Sequence, residues 1–380
     1  MLEALPLEGS HDEPVRVINR RGEAVDTNVQ WTNGWGCVYE TSACVPPGEH
    51  DADELDIFRE LTMVSRPETQ PRLVELLAPV KVTLSPGIEL TRHTVAEGVT
   101  TRLIRHDGLL GVLFTPAEVQ SSLAVMCLTG SGGGYALDTA GALAAHGFVT
   151  FALAYYAVPG LPDDLIEIPL EYLETGINWL ANLPGVKGVA VMGRSKGGEL
   201  ALLLGSFFDS IRAIVAHVPS SQTHCWGEPD ARKSCWTYKG NSFPYVPMDG
   251  SRNPPMENGR LSIRAGYEAT IEDPEAADHT AIAVERINCP VMLVSGGQDR
   301  MWPSSVFSER VVERAHAHGF EYEMTHLYYP DAGHGIGVPN QPRKPSKFDF
   351  FELGGTPQTN AAASIQSWRE VVTFLEGQAG

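Results

Sequence analysis

The chain reads as an α/β protein, a doubly wound and mostly parallel sheet flanked by helices and preceded by a smaller β-rich domain. Three observations carry that reading. Beyond about residue 115, apolar strand-like runs alternate with segments of helical period. Before it, short alternating stretches are broken by Pro and Gly without a 3.6-residue pattern. One apolar run, Val189 to Met192, passes into Gly-x-Ser-x-Gly and then at once into a helical pattern, the strand–turn–helix context in which a serine is held above a sheet.

The elements follow in order. Val80 to Leu84 and Thr101 to Arg105 are strand-like and belong to the first part, residues 1–115. The second part, 116–380, opens with the strand Leu123 to Leu128, then a helix running to His146 and stopped by Gly147. Phe148 to Leu153 is the next strand, and a helix around Leu170 to Leu180 precedes Val189 to Met192 and the helix beyond the serine turn. The alternation resumes with strands Ile211 to Val218 and Val291 to Ser295, a helix from Ser304 to His318, a strand at Tyr322 to Tyr329, and a last helix from Ala361 to Leu375. Between Pro219 and Asn288 a stretch rich in Pro, Gly, Asn and Trp lacks periodicity; it reads as a cap over the carboxyl ends of the strands, where such sheets bind ligands.

Composition narrows the function classes. With 380 residues and 43% hydrophobic content the chain can bury a large core. A formal charge of -19, with no dense Lys/Arg cluster, argues against nucleic acid. No apolar run approaches the roughly 18 residues a membrane helix needs, and an N-terminus carrying Glu3, Glu8 and Asp12 is not a secretory leader. A cytoplasmic protein without a membrane partner is the expectation. Six cysteines show neither Cys-x-x-Cys pairs nor zinc-like spacing, so reduced thiols are expected, Cys225 and Cys235 being the pair that could bridge. No metal or organic cofactor is implied, and the oligomeric state stays open.

A serine nucleophile needs a base, and the base an orienting carboxylate, in the chain order Ser, Asp or Glu, His for this architecture. Ser195 is the candidate nucleophile. Asp299 stands just past the strand Val291 to Ser295, and His334 lies in Asp331-Ala-Gly-His-Gly335 after the strand ending at Tyr329. All three fall on loops at one edge of the sheet. Asp331 is the rival acid, disfavoured because it would share one loop with His334. The oxyanion of a tetrahedral intermediate needs N–H donors: the amide of Lys196, directly after the nucleophile, and one from Thr129-Gly-Ser-Gly-Gly-Gly134, with Ser131 or Gly132 the candidates. Those glycines lack the Gly-Lys-Ser/Thr ending of a phosphate loop. Arg194, Gly133 and Tyr135 are further candidates for substrate contact.

Gly130-Ser-Gly-Gly-Gly134, Leu153-Ala-Tyr-Tyr156, Leu170-Glu-Tyr172, Gly193-Arg-Ser-Lys-Gly-Gly-Glu-Leu200 with Ser206-Phe207, Tyr238-Lys-Gly240, Val284-Glu-Arg286, Gly297-Gln-Asp299, Ala332-Gly-His334 and Trp368 occur together. In these residues the chain resembles the acyl-CoA thioesterases and bile acid-CoA:amino acid N-acyltransferases. The resemblance implies an immunoglobulin-like β-sandwich followed by an α/β-hydrolase domain, and carries the family's acid and base onto Asp299 and His334. It implies a small-molecule acyl thioester or ester substrate, with CoA as part of that substrate. Serine rather than cysteine at the elbow leans toward hydrolysis. Three departures mark this chain: Arg194 where the family has an aliphatic residue, a segment 335–343 without the family's aromatic and acidic residues, and an apparent insertion from Ser221 to Ser234. Acyl transfer to an amine or alcohol, a CoA-independent carboxylesterase or dienelactone-type hydrolase, and a silent scaffold are the competing readings.

Overall fold

The computed structural model describes residues 93–106, 108–226, 232–339 and 350–379, together with Leu77 and the backbone of 17–18, 24–25, 80–84 and 88–92. Eight strands form one sheet: β1 (Val99–His106), β2 (Leu109–Pro116), β3 (Leu123–Leu128), β4 (Thr150–Ala154), β5 (Gly188–Arg194), β6 (Ile211–His217), β7 (Val291–Gly296) and β8 (Met324–Tyr329). Five helices flank it: α1 (Leu137–Ala145), α2 (Leu170–Ala181), α3 (Lys196–Gly205), α4 (Ser304–Ala317) and α5 (Pro357–Gly377).

The spatial order is β8-β7-β6-β5-β3-β4-β2-β1. Strands β3 to β8 pair in parallel, whereas β1 with β2 and β2 with β4 are antiparallel. Their side chains explain this layering. In β3, Ala124, Met126 and Leu128 join the core packed against α2, α3 and α4, while Leu123, Val125 and Cys127 join the core packed against α1 and α5. Strands β5 and β7 alternate in the same way. A run that is apolar at every position is what a strand covered on both faces requires.

The expected change of character near residue 115 needs a correction. Strands β1 and β2 lie before it, yet they extend the large sheet through β4. The sheet therefore begins at Val99. Strand β1 forms the exposed edge, with burial alternating along it, and such an edge reads in sequence like a strand of a separate half-solvated sheet. The expected β-sandwich falls largely on residues outside the described ones; before Val99 the described strands are the antiparallel pair Val80–Leu84 with Ile88–Arg92 and the short pair Val17–Ile18 with Ala24–Val25.

The last helix starts at Pro357, four residues before the expected Ala361. Thr356 caps it: its Oγ1 accepts from the Thr359 N–H, the Thr359 hydroxyl accepts from the Thr356 N–H, and Pro357 occupies the first turn. The described residues of 219–288, expected as an unpatterned cap, form an inserted unit between β6 and β7. Its segment Trp236–Tyr238 pairs in parallel with Ile168–Pro169, ahead of α2, and its helices Arg264–Glu268 and Pro274–His279 are short. Among the described residues no helix is long and apolar enough to cross a membrane.

Chain reversal between β4 and β5 puts the loops after β3 and β5 side by side. This is the switch point of a doubly wound sheet, where a crevice opens outside the carboxyl ends of the strands. The register depends on packing beneath it: Phe151 of β4 is fully buried, its ring 4.8 Å from that of Trp179, and it fills the space a Cβ on Gly111 would need. Phe151→Ala is expected to cost about 3–5 kcal/mol in denaturant unfolding. A loss below about 1 kcal/mol would contradict that packing role.

Candidate active site

Strand β5 ends at Arg194, and Ser195 turns the chain into α3 with φ 59° and ψ -123°. A non-glycine residue at positive φ is strained, and the surroundings must hold it there. The Ser195 N–H donates to the His217 carbonyl of β6 at 2.9 Å, and the Ser195 carbonyl accepts from the N–H groups of Gly198 and Glu199. The flanking glycines are sterically required. A Cβ on Gly193 would lie 2.0 Å from the Gly197 carbonyl oxygen, and one on Gly197 would lie 2.2 Å from that of Thr129.

Two loops bring the remaining groups to this hydroxyl. His334 Nε2 lies 2.9 Å from Ser195 Oγ, and His334 Nδ1 lies 2.8 Å from Asp299 Oδ2. Asp299 is fully buried, and its other oxygen accepts from the N–H groups of Met301 at 2.9 Å and Trp302 at 3.3 Å. Arg264 of the inserted unit donates to the Asp299 carbonyl, and the Trp302 ring meets the His334 ring edge-on at 5.6 Å. Asp331 is exposed; its carbonyl accepts from Thr359, which leaves Asp299 as the carboxylate on the imidazole. The His334 loop is anchored to α5 by Asn360, which accepts from the Gly333 N–H and donates to the Gly354 carbonyl.

The glycine-rich loop after β3 passes directly beside the serine: a Cβ on Gly130 would stand 3.6 Å from Ser195 Oγ. Two tyrosines from the end of β4 fix it. Tyr155 donates to the Thr129 carbonyl at 2.6 Å and Tyr156 to the Gly130 carbonyl at 3.0 Å. Burial pushes both phenols up, which keeps them donors. Inside the loop, the Gly133 N–H donates to the Gly130 carbonyl and the Gly134 N–H to the Tyr156 carbonyl. That leaves the amides of Ser131 and Gly132 as the loop's candidates to face an oxyanion, opposite the Lys196 amide at the start of α3. Gly133 itself has φ +67°, and a Cβ there would meet Ala157 at 2.5 Å, so its place is in shaping the turn. Tyr135 is half-buried and packs against the α1 side of the core.

Arg194, a candidate to face substrate or a cap carboxylate, donates from its Nε to the Ile336 carbonyl at 3.0 Å and from its Nη2 to the His334 carbonyl at 2.5 Å. Lys196 places its ammonium in a buried ion pair with Glu199, at 2.6 and 2.7 Å. Glu199 also accepts from the Trp236 indole N–H at 2.8 Å and the His224 N–H at 3.4 Å. The inserted unit is thereby tied to the first turn of α3. Trp236, Trp302 and the paired tyrosine hydroxyls are contributors that motif spacing did not disclose. Tyr155 and Tyr156 stood in the sequence as an aromatic pair after a strand, a signal that marks a position and not a bond.

Among the described residues no group of three or more His, Cys, Asp or Glu converges as a metal site. Cys127, Cys225, Cys235 and Cys289 are free thiols, so Cys225 and Cys235 do not bridge.

Replacing Tyr156 with Phe removes one hydrogen bond from the loop and is expected to lower kcat about 2- to 10-fold with KM little changed. Steady-state kinetics would read this, and an unchanged kcat would detach Tyr156 from the loop's function. A second expectation concerns pH. His217 and His224 are buried, and burial pushes both imidazoles down to about 3, aided by the charge of Arg194 at His217 and of Lys196 at His224. Between the ordinary value of 6.5 and about 3 the unfolded chain therefore binds more protons than the folded one, and stability falls as pH falls through that window. Calorimetric midpoints should decline from pH 6.5 downward, and His217→Leu should make that decline shallower.

Residues 168–380 match the family model described as BAAT / Acyl-CoA thioester hydrolase C terminal. Over 296 residues the chain is 30% identical to acyl-coenzyme A thioesterase 2, mitochondrial, of Mus musculus, covering 76% of this chain and 62% of that protein. It is also 30% identical over 296 residues to acyl-coenzyme A thioesterase 1 of Homo sapiens, covering 76% and 68% respectively. The chain thus spans 62% and 68% of the length of these two relatives. An esterase of Pyrococcus furiosus is similar to it at a TM-score of 0.43 and 15% identity, over 82% of this chain and 98% of that one. With the family model matching more than half of its 380 residues, the chain belongs to the BAAT / acyl-CoA thioester hydrolase family, on an α/β-hydrolase fold.

Proposed function

We propose that the chain hydrolyses an acyl thioester of CoA through a Ser195–His334–Asp299 triad and an acyl-enzyme. The observation that carries this reading is the unbroken line from Ser195 Oγ through the two nitrogens of His334 to the buried Asp299 carboxylate. His334 takes the hydroxyl proton as Ser195 Oγ bonds to the thioester carbonyl carbon. The Lys196 amide and an amide of Ser131 or Gly132 hold the resulting oxyanion. As the carbon–sulfur bond breaks, the proton on His334 goes to the departing thiolate. A water molecule, deprotonated by the same imidazole, then attacks the acyl-enzyme, and the proton returns to Ser195 as the free acid leaves. Asp299 keeps Nδ1 protonated and stabilises the imidazolium formed in each half.

The CoA part of the reading rests on the family, whose relatives carry acyl-coenzyme A thioesterase in their names. The net charge of -19 gives no general attraction to a polyanionic leaving group, so recognition of CoA must be local. Hydrolysis, and not transfer to an amine or alcohol, is favoured by serine at the nucleophile position.

The test is a kinetic panel of short, medium and long acyl-CoAs against aryl esters of the same acyl groups. Ser195→Ala is expected to lower kcat/KM by about 10⁴-fold or more while leaving the unfolding midpoint unchanged. Near-native turnover in that variant would remove Ser195 from its role. Turnover of esters with none of CoA thioesters would reject the thioesterase assignment, and acyl transfer to an added amine in preference to free acid would reject hydrolysis.

A further inference from the structure

The structure assigns Arg194 a task that neither its family position nor its charge suggests. We infer that Arg194 is a positioning residue, a strap from the nucleophile strand that holds the backbone of the general base in register with Ser195. This inference rests on the triad reading above and adds a residue to it.

Arg194 is the last residue of β5, so its backbone is continuous with the nucleophile. Its guanidinium crosses 140 residues of sequence to the loop after β8, where Nη2 donates to the carbonyl of His334 and Nε to that of Ile336. The planar fork of a guanidinium engages two acceptors in a fixed relative geometry, which a single ammonium cannot do. Held at positions 334 and 336, the loop loses freedom to translate along β5 and to rotate about its own axis. Gly337 lies over the stem of the same side chain: a Cβ there would stand 3.6 Å from Arg194 Cδ.

Other anchors of this loop come from elsewhere: the His334 N–H donates to the Leu353 carbonyl at 2.7 Å, and the Ala332 carbonyl accepts from the Gln298 N–H at 2.9 Å. Asn360 and Ser364, both on α5, bind the backbone at Gly333 and Gly337 and set the loop against the helix. They say nothing about its distance from β5. Ser195 is likewise fixed from β6, through the bond from its N–H to the His217 carbonyl. Arg194 connects the two assemblies on the protein side of the Ser195–His334 hydrogen bond. His217, its register partner on β6, is buried beside it and is kept neutral by burial and by the guanidinium charge.

A reacting pair displaced by about 1 Å can lose on the order of 10²-fold in rate. The predicted signature of removing the strap is therefore a loss in kcat with binding intact. The test uses R194M, which keeps the length and apolar stem but not the donors, and R194K, which keeps the charge but not the fork. Each full-length variant is reacted with an active-serine fluorophosphonate and assayed on an acyl-CoA and on an uncharged aryl ester. Labelling of Ser195 and kcat on both substrates are expected to fall about 10- to 100-fold in R194M, with KM within about twofold, and R194K is expected to lie between R194M and wild type.

Wild-type labelling rates in R194M would overturn the strap while leaving the triad standing. A rise in KM confined to the acyl-CoA, with the aryl ester unaffected, would also overturn it, because Arg194 would then be a substrate contact. If R194M does not fold, R194K decides alone: a wild-type labelling rate rejects the strap. Failure of wild-type protein to label at Ser195 would be a failure of the triad reading, and the inference would fall with it.

Discussion

The site depends on the contact of two backbone turns. The loop leaving β3 and the turn leaving β5 approach so closely that a single methyl group on Gly197 would collide with the Thr129 carbonyl. Parallel strands that neighbour each other across a switch point are the arrangement that allows this, because both deliver their carboxyl ends to the same crevice. Close approach has two consequences. It holds Ser195 at a positive φ that an isolated turn would not keep, and it brings Gly130 of the glycine-rich loop beside the serine side chain.

Around that contact, polar anchoring replaces the apolar packing that fixes the rest of the sheet. Tyr155 and Tyr156 hold the carbonyls of the glycine loop, Asn360 holds the histidine loop to α5, and Glu199 gathers Lys196, Trp236 and the His224 amide in one buried cluster. Breaking one partner of such a cluster leaves a buried charge unpaired, which is costlier than the pair is stabilising. The inserted unit is thus joined to α3 by groups that must remain complementary. A cap resting on the sheet through apolar contacts alone would carry no such constraint.

Much of this was legible in the sequence because the determining signals are local. Inner strands such as β3 and β5 are runs of apolar residues bounded by turn residues, and the order Ser195, Asp299, His334 follows from the loops that end β5, β7 and β8. What escaped was set by distant partners. Strand β1 looked like part of a separate domain because an exposed edge alternates whatever sheet it closes. The start of α5 was missed by four residues because its cap is a Thr–Thr pair and not the Ser/Thr with Glu or Gln that marks most capping boxes. The direction of Arg194 had no sequence signature at all, since its acceptors are main-chain carbonyls 140 and 142 residues away.

That last feature bears on how this site can diversify. Main-chain carbonyls are present whatever side chains a segment carries, so a fork that grips the carbonyls of His334 and Ile336 does not read the identity of residues 335 to 338 beyond the room left at Gly337. The segment after the histidine, residues 335–343, carries no aromatic or acidic side chain. Its Ile336 and Val338 are nevertheless buried in the core packed against α1 and α5, so exchange there is limited by packing and not by the grip on the main chain. Such a loop tolerates volume-conserving apolar swaps while its main-chain anchors stay in place.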